Sequence, residues 1–311
     1  MNGLAMIVAG LMLLSLAGCE KEKAIPKAVA VSEDGSMELR LMTFNVRHEN
    51  GNEIGRRAWA ERLLGIVKML RVEAPDIFGT QEGQHGQMAD LWASLPDYDF
   101  HGCGRADGEN DGEYAGIYFR RDRFEFDEKQ AGTIWLSDTP EKAGSKTWGN
   151  EFPRVATWLR LTDRVSGKGV WVINMHLDHR NQPSREKGVR LVAERLVAMN
   201  AQGDPVVWLG DFNAVEGNAA VEFLRGAPSS VKKVEGFDGL KETFDELHAK
   251  ERKRGTLHFW MSDPNRQWKV DHIFVSKEAE VLESGIVKSG EPYLSDHFPV
   301  VARVRWGNSK P

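Results

Sequence analysis

Six short polar motifs, each placed at the end of an apolar, strand-like run, limit what this chain can fold into. They are Asn45 in Thr43-Phe44-Asn45-Val46-Arg47, Glu82 in Thr80-Gln81-Glu82, and His176 in Asn174-Met175-His176-Leu177-Asp178. Asp211 and Asn213 follow in Gly210-Asp211-Phe212-Asn213, then Asp271 in Val270-Asp271-His272-Ile273 and Asp296-His297 in Ser295-Asp296-His297-Phe298. Almost every member is a carboxylate, a carboxamide or an imidazole. Such groups at the ends of separate strands meet only if the fold gathers those ends around one cleft. A cleft of that composition suits a hard divalent cation and phosphoester chemistry.

The runs between the motifs alternate between strand and helix patterns. Residues 38–44 alternate apolar and polar side chains and predict a first strand. Residues 56–74 place Trp59, Leu63, Ile66, Val67 and Leu70 at helical spacing, and Pro75 stops that helix. A short buried strand at 76–80 delivers Glu82, and residues 84–94 read as helical. Strands are expected at 97–101, 114–120, 123–135 and 155–162, then over Val170–Met175, which ends at His176. A long amphipathic helix is expected at about 184–201, a buried strand at 205–209 and a helix at 217–225. The stretch 227–262 reads as charged surface loops, and strands at 269–275, 280–288 and 298–305 close the pattern. Helices are too few for a single doubly wound sheet. The expected fold is therefore α/β (α+β): a four-layer αββα sandwich, with two packed mixed β-sheets flanked by helices.

The first residues read as a processing signal. Residues 4–17 are apolar, too short to span a membrane comfortably, and end in Leu16-Ala17-Gly18-Cys19. That ending resembles the bacterial lipobox and would make Cys19 a lipidated residue. Residues 1–18 lack Lys and Arg, so the usual basic region is missing and an uncleaved anchor is the rival reading. The expected organisation is a signal at 1–18, a polar tether at 19–37, one domain at 38–306 and a tail at 307–311. Besides Cys19 the chain has only Cys103, which excludes an intrachain disulfide in the mature domain and reads as structural. A formal net charge of −5, with no Lys/Arg-rich tract, argues against a dedicated nucleic-acid grip.

In that order, Asn45, Glu82, His176, Asp211-x-Asn213, Asp271 and Asp296-His297 resemble the endonuclease/exonuclease/phosphatase superfamily, over residues 39 to 305. Gly132-Thr133-Ile134-Trp135-Leu136-Ser137 and Phe152-Pro153-Arg154-Val155 are similar to a bacterial, nocturnin-like subset. The resemblance implies a metal-dependent hydrolase of phosphoesters using Mg2+, with Mn2+ as a substitute. Its substrate would be a nucleic acid, a nucleotide, an inositol phosphate or a phospholipid headgroup. The protein would lie in the cell envelope, held to a membrane by its N-terminal lipid, with no protein partner inferred.

Roles for the residues follow from the reaction. Water must attack phosphorus in line while the equatorial and leaving oxygens are stabilised. Glu82 is the expected direct Mg2+ ligand, with Asn45 beside it. Asp211 would orient or deprotonate the water, and Asn213 would donate to a phosphoryl oxygen. His297, oriented by Asp296, would be general base or phosphate contact, with His176 facing it and Asp271 fixing one of the two imidazoles. Arg154 would clamp phosphate and Tyr114 would donate to it, against the alternatives of a surface ion pair and a half-buried strand tyrosine. Asp178, His179 and Arg180 are candidates to line the cleft or to form a solvated turn. His85, His258 and His272 carry no assignment. A non-catalytic binding protein on the same fold, and a glycosidase using paired carboxylates, are the rival classes. Hydrolysis with and without EDTA separates them.

Overall fold

Strand β1 (Met37–Asn45) turns Leu39 and Leu41 to one face and Met42 and Phe44 to the other, and all four are buried. A strand apolar on both faces must lie between two layers. The computed structural model describes residues 35–51, 53–251, 255–263 and 267–307, and places β1 centrally in a six-stranded sheet. The expected signal and Cys19 lie outside the described residues.

Helix α1 (Trp59–Glu73) follows a 3-10 turn at Gly55–Arg57. It stops where Ala74 takes a left-handed conformation ahead of Pro75. Strand β2 (Ile77–Gln84) then runs parallel to β1, with α1 as the crossover. Helix α2 (His85–Ala93) starts from a capping box between Gln84 and Gln87. Strands β3 (Tyr98–His101), β4 (Glu113–Arg120), β5 (Phe124–Trp135) and β6 (Val155–Asp163) pair antiparallel with their neighbours. The pattern then repeats. Strand β7 (Gly169–His176) crosses through α3 (Gln182–Met199) to the parallel strand β8 (Val206–Asp211). Helix α4 (Ala219–Arg225), β9 (Lys241–Glu242), α5 (Thr243–His248), β10 (Asp271–Val275), β11 (Glu280–Ile286) and β12 (Val300–Trp306) complete the described elements.

The first sheet has the order β11-β12-β1-β2-β4-β3 and the second β5-β6-β7-β8-β10-β9. Both are mixed. Between them lies an apolar layer that includes Leu41, Ile77, Ile117, Leu161, Val172, Leu209 and Ile273. Helices α1 and α2 cover the outer face of the first sheet through Ile66, Leu70 and Leu91. Helix α3 covers the second through Val189, Val192 and Leu196. This is the four-layer αββα arrangement expected from the sequence. The clear departure is the stretch 227–262, which was expected to be surface loops. It contains β9 and α5, and its last residues reach the functional cleft.

The sheets approach closely at Gly79, where an added Cβ would lie 2.1 Å from Leu209 Cδ1 and 2.8 Å from Asn174 Cγ. Glycine is required there for sterics alone. Just above it, Gln81 Nε2 donates to Asn174 Oδ1 at 2.7 Å, joining the sheets through a buried hydrogen bond. Asn174 Nδ2 in turn donates to the carbonyls of Thr80 and Gly116 at 2.9 and 2.7 Å. The opposite end is tied by Arg123, whose Nη1 lies 2.8 Å from Asp76 Oδ2 and whose Nε lies 3.0 Å from Asp163 Oδ1. All three side chains are buried; Asp76 directly precedes β2 of the first sheet, and Asp163 ends β6 of the second.

Removing Arg123 leaves two buried carboxylates without their counter-charge. Arg123→Ala is expected to lower unfolding stability by about 3–5 kcal/mol. Denaturant unfolding of wild type and variant measures it, and a loss below about 1 kcal/mol, the scale of an exposed pair, would refute the structural role.

Candidate active site

The strand registers bring the polar motifs together. Asn45 ends β1 beside Gln81 of β2. In the second sheet His176 of β7 pairs with Asp211 of β8, and Asp211 pairs with Asp271 of β10. Each sheet thus offers half of a site at the same end of the sandwich. Glu82 reaches it by a local distortion. Strand alternation would send this residue outward, but its φ is +66° and the β2–β4 register shifts between Gln81 and Gln84. Non-glycine residues held in this region cluster at functional sites.

The cleft has a volume of about 650 Å³ and is lined by Glu82, Arg154, His176, Asp211, Asn213, Asp296 and His297 among others. Asn45 spans the two halves, its Nδ2 donating to Glu82 Oε1 and to Asp211 Oδ2, both at 2.9 Å. Its oxygen accepts from the Arg47 backbone N–H at 3.0 Å, so Asn45 presents hydrogens rather than an oxygen to the carboxylates. Asp271 lies behind the cleft wall, where its Oδ2 accepts from His297 Nδ1 at 2.9 Å. His297 Nε2 lies 3.9 Å from Asp211 Oδ2. On the facing wall, Arg154 Nη1 donates to His176 Nε2 at 3.1 Å and Nη2 donates to His179 Nδ1 at 2.9 Å. His176 Nε2 lies 3.6 Å from Asp211 Oδ2.

Burial and neighbouring charges separate the protonation states. Burial opposes ionisation of Glu82, but the hydrogen bond with His48 and the nearby His176 and His297 hold it well below the usual carboxylate range. For Asp211, burial and then the charge of Asp271 push the carboxyl up to about 7. His297 goes the other way. Burial pulls it down, yet Asp271, Asp211 and Asp296 raise it to about 10. Burial and the charge of Arg154 hold His176 well below the ordinary histidine value, so it is neutral. Near neutral pH the cleft therefore holds an ionised Glu82, an Asp211 poised between states, a cationic His297 and a neutral His176.

Three sequence expectations are corrected. Asp296 does not orient His297. It lies 3.8 Å from Arg47 Nη1, and Asp271 supplies the imidazole contact instead. His297, already protonated, has no lone pair with which to act as general base. Tyr114 does not line the cleft: its hydroxyl donates to the Glu109 carbonyl at 2.8 Å and meets His85 at 3.1 Å. Its neighbour Glu113 takes the cleft-facing position. Arg154 is buried within the cleft rather than in a surface pair. Asn213, with φ +46°, caps Asp211 Oδ1 through its backbone N–H at 2.8 Å and donates from Nδ2 to the Leu177 carbonyl at 3.0 Å. Asp178 stands 3.6 Å from Arg154 and His179 joins the cleft, whereas Arg180 pairs with Glu151 on the exposed surface.

Arg47, His48, Arg105, Glu113, Phe152, Phe259 and Trp260 also line the cleft, and motif reading missed them. Of these, Arg47, Glu113 and Phe152 carried a signal: Arg47 ends the Asn45 motif, Glu113 precedes Tyr114 and Phe152 opens the Arg154 motif. His272 is buried against Glu242 and Lys269, and His258 stacks on Phe298 at 4.1 Å between ring centroids.

Among the described residues, Glu82, Asp211 and His297 offer ligand atoms within 4.8 Å of one another. Their protonation divides them. Glu82 is the ionised oxygen donor that a hard cation prefers, while a protonated His297 is no ligand at all. The raised Asp211 reflects crowded carboxylates whose repulsion a cation would relieve. The donor set fits a divalent cation that keeps most of its waters.

The sequence pattern of the Endonuclease/Exonuclease/phosphatase family matches residues 42–297. A solved family member from Bacteroides vulgatus is 30% identical with a TM-score of 0.77, covering 86% of this chain and 98% of that one. A mannosyl-6-phosphatase from Bacteroides thetaiotaomicron is 30% identical with a TM-score of 0.72, covering 86% of this chain and 99% of its own. The catalytic domain of human Nocturnin with bound sulfate shares the fold at 19% identity and a TM-score of 0.66, over 86% of this chain and 93% of that one. No curated protein sequence matches the chain.

Asp271→Asn removes the charge that keeps His297 protonated. The His297 pKa is then expected to fall from about 10 by at least one unit, the scale set by losing a buried opposite charge. An NMR titration of the ring resonances reads this directly, and an unmoved pKa would refute the pairing.

Proposed function

We propose a function from one premise: this chain belongs to the endonuclease/exonuclease/phosphatase family, and so to the hydrolases of phosphoester bonds. Within that class our reading is a Mg2+-assisted phosphomonoesterase. One observation carries it: Asp211, raised to about 7, lies between the ionised Glu82 and the cationic His297, opposite the buried Arg154. That juxtaposition supplies a base, a counter-charge and a cation ligand around one point.

A phosphoryl group enters against Arg154, whose guanidinium is held in place by His176 and His179. The His297 imidazolium faces it from the other wall and compensates charge on an equatorial or leaving oxygen. Asp271 keeps that imidazolium charged and aligned. Asp211 accepts a proton from the attacking water, since a group titrating near the working pH serves best as general base. The Asn213 backbone and Asn45 side chain hold its two oxygens in direction. Glu82, with Asn45 beside it, would hold a divalent cation, Mg2+ or Mn2+ as its substitute, which would neutralise phosphoryl charge as a Lewis acid.

Two features favour a compact monoester over a nucleic-acid strand. The net charge is −5, unlike a surface built to grip a polyanion. The chain is also 30% identical to a mannosyl-6-phosphatase over nearly all of that protein. We further place the protein in the cell envelope, anchored by lipid on Cys19. This rests on the Leu16-Ala17-Gly18-Cys19 ending and the polar stretch after it.

Hydrolysis of p-nitrophenyl phosphate and bis-p-nitrophenyl phosphate, with Mg2+ and with EDTA, tests the reaction. The monoester is expected to be preferred, and EDTA to abolish turnover. Activity that survives EDTA, or a preference for the diester, would overturn the reading. The rate is expected to climb with pH as Asp211 loses its proton, at about 7 without a cation and lower with Mg2+ on Glu82, and to fall as pH rises through about 10, where His297 loses its own. A rate that nowhere rises with pH below about 7 would remove Asp211 as the base. For the anchor, Cys19→Ser is expected to move the protein from the membrane to the soluble fraction; retention in the membrane would count against lipidation.

A further inference from the structure

Asp211 can be aimed only if the turn that follows it keeps its shape. Asn213 stands in a left-handed conformation, φ +46°, and its backbone N–H caps Asp211 Oδ1 at 2.8 Å. A residue other than glycine keeps such a backbone where its surroundings impose it. The next carbonyl, that of Ala214, lies 3.0 Å from His272 Nε2. The same imidazole meets the Phe212 ring edge-on, with centroids 5.6 Å apart. One ring therefore grips the turn on both sides of Asn213.

Asp271 and His272 are consecutive on β10, whose side chains alternate between the two faces of the sheet. Asp271 turns to His297. His272 turns the other way, into the apolar layer outside the second sheet, where it packs against Phe212 and Phe274.

The tautomer of His272 is fixed by two further buried side chains. Lys269 Nζ lies 2.8 Å from His272 Nδ1 and 2.6 Å from Glu242 Oε1. An ammonium only donates, so Nδ1 accepts. Burial and the charge of Lys269 hold the ring below the ordinary histidine value, so it is neutral. Its single proton then sits on Nε2, the atom that faces Ala214, and Nε2 donates to that carbonyl. Glu242 is fixed in turn, because its Oε2 accepts from the Asp245 backbone N–H at 2.6 Å in the first turn of α5. Glu242, Lys269 and His272 are all buried. A buried ion pair is weak evidence for stability, since apolar residues of similar volume often do as well.

We propose that His272, held in one tautomer by the Lys269–Glu242 pair, is a positioning residue for hydrolysis: it fixes the turn from Phe212 to Ala214 and so aims the Asp211 carboxylate. This rests on the reading of Asp211 as the base and names what holds that base in direction. His272 touches neither substrate nor water, so it acts only through the turn.

The test uses the full-length protein with Mg2+ and p-nitrophenyl phosphate. His272→Phe keeps a ring against Phe212 but has no N–H for Ala214. It is expected to lower kcat about tenfold or more, the scale of lost orientation around a reacting group, with KM within about twofold of wild type. The rise of rate with pH is expected to move to higher pH, because the Asn213 N–H that holds the Asp211 carboxyl down is no longer kept in place. His272→Gln, whose amide can donate to the Ala214 carbonyl, is expected to recover most of kcat. In the wild type, 15N NMR of the ring is expected to show Nε2 protonated and Nδ1 bare, a readout that needs no variant to fold. The reverse tautomer overturns the proposal. So does a His272→Phe variant with a lowered Tm but unchanged kcat and pH profile, or a His272→Gln variant as impaired as His272→Phe. A wild-type rate that never rises with pH sinks the Asp211 reading itself, whereas a rise that is present but unmoved in His272→Phe sinks only the positioning role.

Discussion

Every contact in the cleft depends on two sheets being held in one relative position. The interaction that fixes it beneath the site is the buried hydrogen bond from Gln81 to Asn174, 2.7 Å long, at the layer where Gly79 lets the sheets approach. One layer higher, Asn45 reaches from the first sheet to Asp211 of the second. Asn45 and Glu82 belong to one sheet, and His176, Asp211 and Asp271 to the other. A slip between the sheets would separate the Glu82 oxygens from Asp211. Buried polar links of this kind are costly when half satisfied and specify geometry when complete. Here the Asn174 amide is satisfied on both sides, by Gln81 and by the carbonyls of Thr80 and Gly116.

Given that position, the electrostatics follow from placement. Glu82, Asp211, Asp271 and Asp296 all lie in or just behind one small volume, with His297 among them. Burial makes a crowd of carboxylates expensive to ionise, and the cost is shared unequally. Glu82 stays ionised because His48 and two further imidazoles are near it. Asp211, buried and next to Asp271, carries the penalty and is pushed up to about 7. His297 collects the benefit and keeps its proton. On the proposed mechanism this separation lets one carboxylate serve as base while another holds the cation.

The sequence carried the fold and the identity of the site better than its internal pairing. Asn45, His176 and Asp211 were legible because each interrupts an apolar strand at its end, where period-two alternation still reports the inward face. Glu82 was legible only through its motif, since alternation alone sends it outward and a left-handed φ turns it back. Asp296 was misread for a general reason. Neighbours in sequence need not touch: the Asp296 carboxylate turns to Arg47, whereas Asp271 reaches the His297 ring from another strand. The lining residues Arg105, Phe259 and Trp260 were hidden because they come from loops, which have no period to read. The two-residue β9 and six-residue α5 were likewise too short to leave a pattern in a charged stretch.

The most direct measurement is a crystal structure of the protein grown with Mg2+ and inorganic phosphate. The account predicts phosphate within hydrogen-bonding distance of both Arg154 and His297, with the cation on Glu82 and the two sheet ends undisturbed. Phosphate seated away from that pair, or a cation that ignores Glu82, would contradict it.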